Sequence, residues 1–224
     1  MKRSEINTLM DDAAGFAKSC GFLLPPFAFW SPDEWRSKSQ DADEIRDCML
    51  GWDLTDFGSG DFPGVGLIMF TIRNGHLTNE QYSKPYCEKM LISDDQQVTP
   101  MHFHWSKSED IINRGGGNLA VQVYNSTPDE GLADSDVTVS VDGVLRRLNA
   151  GDIVMLSPGE SIFLPHGQYH KFWGEKGKVL LGEVSTVNDD TRDNRFYEDV
   201  GRFPEIDEDE EPRYLLFSEY PRAA

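Results

Sequence analysis

The first part of the chain carries apolar residues at helical spacing. They recur every three or four positions between residues 6 and 17: Ile6, Leu9, Met10, Ala13, Phe16 and Ala17. This spacing predicts an amphipathic helix with Ser4 as its N-cap and Gly21 just beyond its end. Ser31, Pro32 and Glu34 form a capping box with proline at the first helical position, which predicts a second short helix. A third helix is expected over residues 42–50.

From Val65 onward the pattern changes to short β-rich segments separated by turn signals such as Asn74-Gly75 and Asp142-Gly143. Roughly nine such segments follow one another with no long helix between them, which predicts antiparallel pairing. A closed barrel or a double-sheet jelly roll leaves few exposed strand edges. We therefore expect a mainly β protein, an antiparallel β-barrel of jelly-roll type with an N-terminal helical extension.

The chain is expected to form one structural domain with three parts. Helices and loops over residues 1–60 pack on a β-barrel over residues 61–190, and the tail over residues 191–224 packs back on both. Within the tail, the apolar segment RYLLFSEY predicts a strand or a short helix, whereas the acidic run from Glu205 to Arg213 predicts an exposed loop.

Composition narrows the functional classes. A net charge of -18 would repel phosphate backbones, so we expect no nucleic-acid partner. No apolar run approaches the roughly 20 residues that span a bilayer, and acidic residues interrupt the N-terminus where a signal peptide would be apolar. Three scattered cysteines without a CxxC motif suit free thiols. We expect a cytoplasmic protein with no membrane partner.

Two histidines one residue apart are the strongest chemical signal. In a strand, His102 and His104 point to one face while Phe103 and Trp105 point to the other. Such a pair is consistent either with a metal site or with two half-buried strand residues. Glu109, five residues later, and His170, on a later strand, favour the metal site, because a hairpin and a neighbouring strand bring both to the same pocket.

This donor set predicts a catalytic metal. Three imidazoles and one carboxylate suit Mn²⁺, Fe²⁺, Co²⁺, Ni²⁺ or Zn²⁺, and octahedral coordination leaves two positions for a substrate. The motifs around the donors resemble those of the cupin superfamily. The first runs from His102 to Gly116 and the second from Gly159 to His170, with two departures outside the ligands, at Gln96 and Gly174.

Longer segments resemble the bacterial D-lyxose isomerases within that superfamily. They are LPPFAFWSPDEW, GWDLTDFGSGDF, KPYCEKMLI, HFHWSKSEDIINRGGGN, PGESIFLPHGQYHKFW and GEVSTVNDD. The resemblance implies a homodimeric, manganese-dependent aldose–ketose isomerase that converts D-lyxose to D-xylulose and also D-mannose to D-fructose. It implies His102, His104, Glu109 and His170 as metal ligands, and it favours Lys89 as an inward-pointing group beside the substrate.

Isomerisation moves hydrogen between C1 and C2 of the sugar, so the site needs a polarised carbonyl and a base above C2. Glu183, at the end of an apolar strand, is our candidate base, and its alternative role is to pair with an arginine. Lys89 either steadies a cis-enediolate or is a strand-edge lysine. Asp189, Trp105 and Phe172 are candidate sugar contacts, against roles in a turn or in the core.

Two other functions fit the same ligands. A non-haem iron dioxygenase of the cupin type uses three histidines and one glutamate, and a sugar-binding cupin without catalysis needs no base. Lys89 and Glu183 favour the isomerase over the binding protein. Only the longer segments that resemble the isomerase family favour it over the dioxygenase.

Overall fold

Short helices precede the sheet. The computed structural model describes residues 1–223, with α1 over Arg3–Ser19, α2 over Pro32–Arg36 and α3 over Asp43–Asp47. The predicted capping box of α2 is confirmed: Glu34 N donates to Ser31 Oγ at 3.2 Å and Ser31 N donates to Glu34 Oε2 at 2.8 Å. The N-cap of α1 is Lys2 rather than Ser4, because the Ser4 hydroxyl donates to Asp209 Oδ2 at 2.7 Å.

Eleven strands are present in the described residues. They are β1 Gly51–Thr55, β2 Leu67–Arg73, β3 Tyr86–Ser93, β4 Val98–Phe103, β5 Glu109–Asn125, β6 Val137–Val141, β7 Val144–Leu148, β8 Ile153–Leu156, β9 Ser161–Leu164, β10 Gln168–Thr186 and β11 Arg195–Phe196. Every pairing between them is antiparallel, as predicted. The sheet begins before the expected barrel boundary at residue 61, because β1 pairs with β2 along its whole length.

The long strands β5 and β10 pair with each other, and each bends so that one half belongs to one sheet and the other half to a second sheet packed against it. Sheet one contains β1, β2, β3, the second half of β10, the first half of β5, β9, β6 and β7. Sheet two contains β11, β4, the first half of β10, the second half of β5 and β8. The hydrogen-bonded path is open from β1 to β7, so the fold is a two-sheet jelly roll rather than a closed barrel.

Glycines allow the bend between the two sheets. The β5–β10 register shifts between Glu175 and Val179, opposite the triple glycine. Gly116 has a φ of 87°, and a Cβ there would overlap the carbonyl of Lys178. The triple glycine therefore permits close backbone approach at a corner where two strands change sheet without ending.

Side chains alternate between two cores. Inward residues of both sheets, such as Leu91, Ile111 and Val121, form the core between the sheets. Outward residues of sheet one, such as Phe70 and Met90, pack against α1 and against the segment over residues 22–28. The cavity described below lies between the sheets, so the α1 side of sheet one supports it from behind.

The acidic run of the tail binds α1. It is largely exposed, as expected, but the buried Arg3 guanidinium pairs with Glu208 and Glu219, and Asn7 Nδ2 donates to Glu210 Oε1 at 2.7 Å. The apolar segment that follows packs back through Leu216 and a short 3-10 turn over Phe217–Glu219. The acidic run alone does not predict this contact with α1, because the partners lie some two hundred residues away in sequence.

Candidate active site

Sheet two carries the three histidines. His102 lies on β4, His104 follows the end of that strand, and His170 on β10 is the direct register partner of His102. All three are buried, with exposures of 7, 5 and 1% respectively. Antiparallel pairing therefore brings a residue from a distant part of the sequence beside the HxH pair, and one ring nitrogen from each histidine lies within 4.8 Å of the other two.

Backbone carbonyls fix the orientation of the rings. The Nδ1 atoms of His102, His104 and His170 lie 2.7, 2.7 and 3.1 Å from the carbonyl oxygens of Pro100, Asp193 and Gln168. Each contact requires a proton on Nδ1, which leaves the lone pair of a neutral ring on Nε2. Such second contacts orient metal-binding histidines and set their tautomer.

Glu109, at the start of β5, places a carboxylate beside the three histidines. Its Oε1 lies 3.1 Å from His170 Nε2 and 3.4 Å from His104 Nε2. Although Glu109 Oε1 is close, the buried His170 Nε2 makes no hydrogen bond, which leaves its lone pair available to a ligand. Three ring nitrogens within 4.8 Å of one another and a neighbouring carboxylate oxygen could hold a divalent metal of the Mn²⁺ to Zn²⁺ series.

The charge states suit metal binding. Burial and the adjacent rings of His170 and His104 hold the pKa of His102 well below its ordinary value. Burial opposes ionisation of Glu109, but Lys107 and His104 more than offset it, so the pKa of Glu109 is also well below its ordinary value. Neutral imidazole and ionised carboxylate are the forms that bind a metal.

Sheet one supplies a second, ionic group of side chains. Lys89 on β3 and Glu183 on β10 are direct register partners, and Lys89 Nζ lies 3.6 Å from Glu183 Oε1. Lys89 Nζ also donates to Asp190 Oδ2 at 2.8 Å. Burial opposes the charge of Lys89, but Asp190 and Glu183 raise its pKa. The neighbouring Glu88 points outward and pairs with Arg73 at 3.0 Å, as strand alternation requires.

Two cations of this group were missed in the sequence. Lys107 Nζ lies 2.6 Å from Glu109 Oε2 and 2.8 Å from Glu183 Oε1, and Arg202 from the tail pairs with Asp190 and with Asp53. Lys107 lies in the polar connection after His104, where the HxH and x4-Glu spacing could have drawn attention to it. No local pattern marks Arg202, because only tertiary folding brings the tail over the cavity.

The two groups line one cavity between the sheets. Its polar wall consists of His102, His104, Lys89, Lys107, Glu109, Glu183, Asp190, Asn194 and Arg202. Its apolar wall consists of Phe57, Leu67, Met69, Leu91, Thr99, Ile111, Phe172 and Phe196. The cavity thus combines a metal donor set with carboxylates and ammonium groups inside an apolar shell.

The structure separates the three predicted sugar contacts. Phe172 lies in the cavity wall. Trp105 is 46% exposed on the opposite face from His104, where its Nε1 donates to Glu130 at 2.8 Å. Asp189 points away from the cavity and closes a turn by accepting from Thr191 N at 3.1 Å, so its neighbour Asp190 takes the cavity position.

The family model for D-lyxose isomerase matches residues 1–220. The chain belongs to the D-lyxose isomerase family. This membership makes it an aldose–ketose isomerase. The D-lyxose/D-mannose isomerase of Escherichia coli O157:H7 is 50% identical over 223 residues, which cover 98% of this chain and 98% of that protein. The protein of the same name from Serratia proteamaculans is 49% identical and covers 99% of both chains.

Solved structures extend the fold comparison beyond the family. The L-ribose isomerase of Cellulomonas parahominis with L-ribose has a TM-score of 0.60 at 16% identity, over 92% of this chain and 98% of that chain. A mutant L-ribose isomerase of Acinetobacter sp. DL28 with L-ribose has a TM-score of 0.62 at 13% identity, over the same shares of the two chains. At this identity the likeness establishes the cupin-like jelly-roll fold. None of the helices among residues 1–223 is long and apolar enough to cross a membrane.

Proposed function

We propose that this protein is a metal-dependent isomerase that interconverts D-lyxose and D-xylulose, with D-mannose and D-fructose as a second pair. The names of its two relatives at 50% and 49% identity support the choice of sugars. The observation that carries the proposal is the placement of Glu183 and two lysines in the same buried cavity as His102, His104 and Glu109, with His170 beside those three residues.

The reaction requires a proton to leave C2 of the open-chain aldose and to return at C1. A bound divalent metal supplies Lewis-acid polarisation of the carbonyl, and manganese is our first choice, with cobalt, nickel, iron and zinc as alternatives. His102, His104 and His170 would hold it through Nε2, and Glu109 would hold it through the oxygen that faces two of those rings.

Glu183 is the proposed base. Its Oε1 accepts a hydrogen bond from Lys107 Nζ at 2.8 Å, which leaves Oε2 to take the proton from C2 of the aldose and deliver it to C1. The two electrons of the broken C–H bond form the C1–C2 double bond of a cis-enediolate as the carbonyl π pair moves onto O1. The proton of the C2 hydroxyl passes to O1 as the C2 carbonyl of the ketose forms. Lys89 Nζ would donate to an oxygen of that intermediate and so stabilise the negative charge as it develops.

The surrounding wall supports this chemistry. Leu67, Met69, Leu91 and Phe172 separate the ionic groups from bulk water, and lower local polarity strengthens each charge interaction in the cavity. Asp190, in place of Asp189, is proposed to orient Lys89 and to contact a sugar hydroxyl. Trp105 is not part of this proposal.

An assay under nitrogen tests the function. Metal-free protein is reloaded with Mn²⁺ and incubated with D-lyxose, D-mannose or D-xylose, with parallel samples in Co²⁺, Ni²⁺, Fe²⁺ and Zn²⁺ and in chelator. We expect D-xylulose from D-lyxose in the absence of oxygen and none in chelator. Failure of every metal would contradict the isomerase. Oxygen uptake by the iron form with another substrate, measured in a separate aerobic sample, would favour the dioxygenase. Sugar binding without turnover would favour the non-catalytic cupin.

A homodimer in the cytoplasm completes the proposal. Exposed apolar side chains on β7 and β8, including Leu145 at 74% and Ile153 at 50%, supply surface for a second copy. Free Cys20, Cys48 and Cys87 suit a reducing compartment. Light scattering after size exclusion tests the dimer: a mass twice that of the 25.3 kDa chain is expected, and a monomer would contradict it.

A further inference from the structure

Lys107 lies at the junction of the two halves of the cavity. Its side chain is buried, with only 3% of the residue exposed. Asp193 fixes its backbone: Asp193 Oδ2 accepts from Lys107 N at 2.9 Å, and Oδ1 accepts from Ser106 N at 3.0 Å. The carbonyl of Asp193 also accepts from His104 Nδ1. One residue of the tail therefore sets both a metal-facing histidine and the lysine three positions later.

The ammonium group of Lys107 lies between two carboxylates and contacts one oxygen of each. Glu109 turns Oε2 to Lys107 at 2.6 Å, while its Oε1 faces His170 and His104. Glu183 turns Oε1 to the same nitrogen at 2.8 Å. Among residues 1–223, no other lysine or arginine contacts both carboxylates. Lys89 contacts Glu183 more distantly, at 3.6 Å, and has its shortest contact with Asp190.

We propose that Lys107 is a positioning residue that assigns separate roles to the two glutamates, holding Glu109 to one metal-facing oxygen and keeping Glu183 free as a base instead of a metal ligand. This inference rests on the proposed function for its kinetic part. The physical reason is that a carboxylate beside a divalent cation is a ready ligand, and an ammonium group bound to that carboxylate competes for the same oxygen.

The proposal predicts that replacement of Lys107 does not weaken metal binding. Lys107→Met removes a positive charge beside the metal site and frees an oxygen on each glutamate. Metal affinity should therefore stay the same or rise by up to about tenfold, because a like charge has been removed. In contrast, a purely structural lysine would lower affinity and activity together, because its loss would disorder the donor set.

The experiment compares wild type, Lys107→Met, Glu183→Gln and the double variant. Lys178→Met is the control because the Lys178 side chain pairs with Asp94 and lies over the Phe16 ring, and it does not line the cavity. Titration calorimetry with Co²⁺ gives affinity, and the cobalt ligand-field spectrum reports the ligand set. We expect an altered spectrum in Lys107→Met and a return toward the wild-type spectrum in the double variant, because an amide is a poorer metal ligand than a carboxylate. Lys107→Gln replaces Lys107→Met if the latter does not fold.

Kinetics supply an independent readout. We expect Lys107→Met to lower kcat on D-lyxose about 100-fold with KM changed less than about threefold, and the double variant to be no slower than Glu183→Gln alone. Metal affinity weakened more than tenfold, an unchanged cobalt spectrum, or losses that multiply in the double variant would each overturn the proposal. If wild type shows no isomerase activity, the proposed function fails, while the cobalt titrations and spectra still decide the role of Lys107.

Discussion

The two faces of the cavity are built in different ways. On the sheet-two face, three imidazole rings are held by backbone carbonyls. On the sheet-one face, charged side chains hold one another, as when Lys89 contacts both Glu183 and Asp190. Backbone contacts keep their geometry when one ring is replaced, whereas removal of one buried charge leaves its partner unpaired. The first face is therefore a set of separable donors and the second is a coupled network.

The largest expected effect is loss of a metal donor. His170→Ala removes a buried ring whose Nε2 has no other partner, so we expect metal content to fall and kcat/KM on D-lyxose to drop by about 1,000-fold or more. Elemental analysis and kinetics on the same preparation check both. His166→Ala is the matched control because His166 is exposed and lies outside the three-histidine group. Retained metal with full activity would remove His170 from the donor set.

The next effect separates the base from the ligands. Glu183→Gln keeps the shape of the side chain but removes the proton acceptor, so we expect kcat to fall by about 10²- to 10⁴-fold while bound metal stays at the wild-type level. Metal content and kcat are measured together. A loss of metal in this variant would place Glu183 among the ligands and erase the distinction between the two faces.

A smaller loss of activity is expected when the coupled network is tested by comparing substitutions at the adjacent residues Asp190 and Asp189. Asp190→Asn removes the partner that raises the pKa of Lys89, and it also breaks a contact to Arg202. We expect the free energy of unfolding to fall by about 3 kcal/mol and kcat/KM to fall by about tenfold or more. Denaturant unfolding and kinetics are the measurements. Asp189→Asn, one residue away and outside the cavity, should change both little; equal effects of the two variants would contradict the placement.

The smallest effect on catalysis should come from the contact between the tail and α1, here called the clasp, in which Arg3 pairs with Glu208 and Glu219. Arg3→Ala breaks buried-to-surface pairs with Glu208 and Glu219, so we expect about 1 to 3 kcal/mol of lost stability. Activity of the folded protein should stay within about twofold, because α1 touches the back of sheet one rather than the cavity. A large loss of kcat at a temperature where the variant remains folded would show that the clasp also shapes the site.

The contrast between the faces also explains what the sequence could predict. The HxH alternation and the capping box of α2 are local patterns, and the jelly-roll class follows from many short strands with turn signals between them. Their positions in the sequence suggested Glu109 and His170 as further ligands, and the resemblance to a known family implied the same four ligands and an inward-pointing Lys89. The residues around Glu183 in the sequence left two roles open for it, a base or the partner of an arginine.

What escaped prediction depends on long-range pairing. Lys107 and Arg202 acquire their roles through carboxylates on other strands or in distant loops. Asp189 and Asp190 differ only in which one turns inward, a choice made by the local turn and by Lys89. The strands β5 and β10 run continuously through their glycines, because glycine bends the backbone there without ending the pairing.

The division of the cavity into a metal face and a proton-transfer face is tested most directly by an anomalous-scattering map of crystals grown with Mn²⁺. We expect one strong peak bonded to Nε2 of His102, His104 and His170 and to Oε1 of Glu109, with Glu183 outside the coordination shell and beside Lys107. A peak that includes Glu183 as a ligand, or one that lies away from the three histidines, would contradict that division.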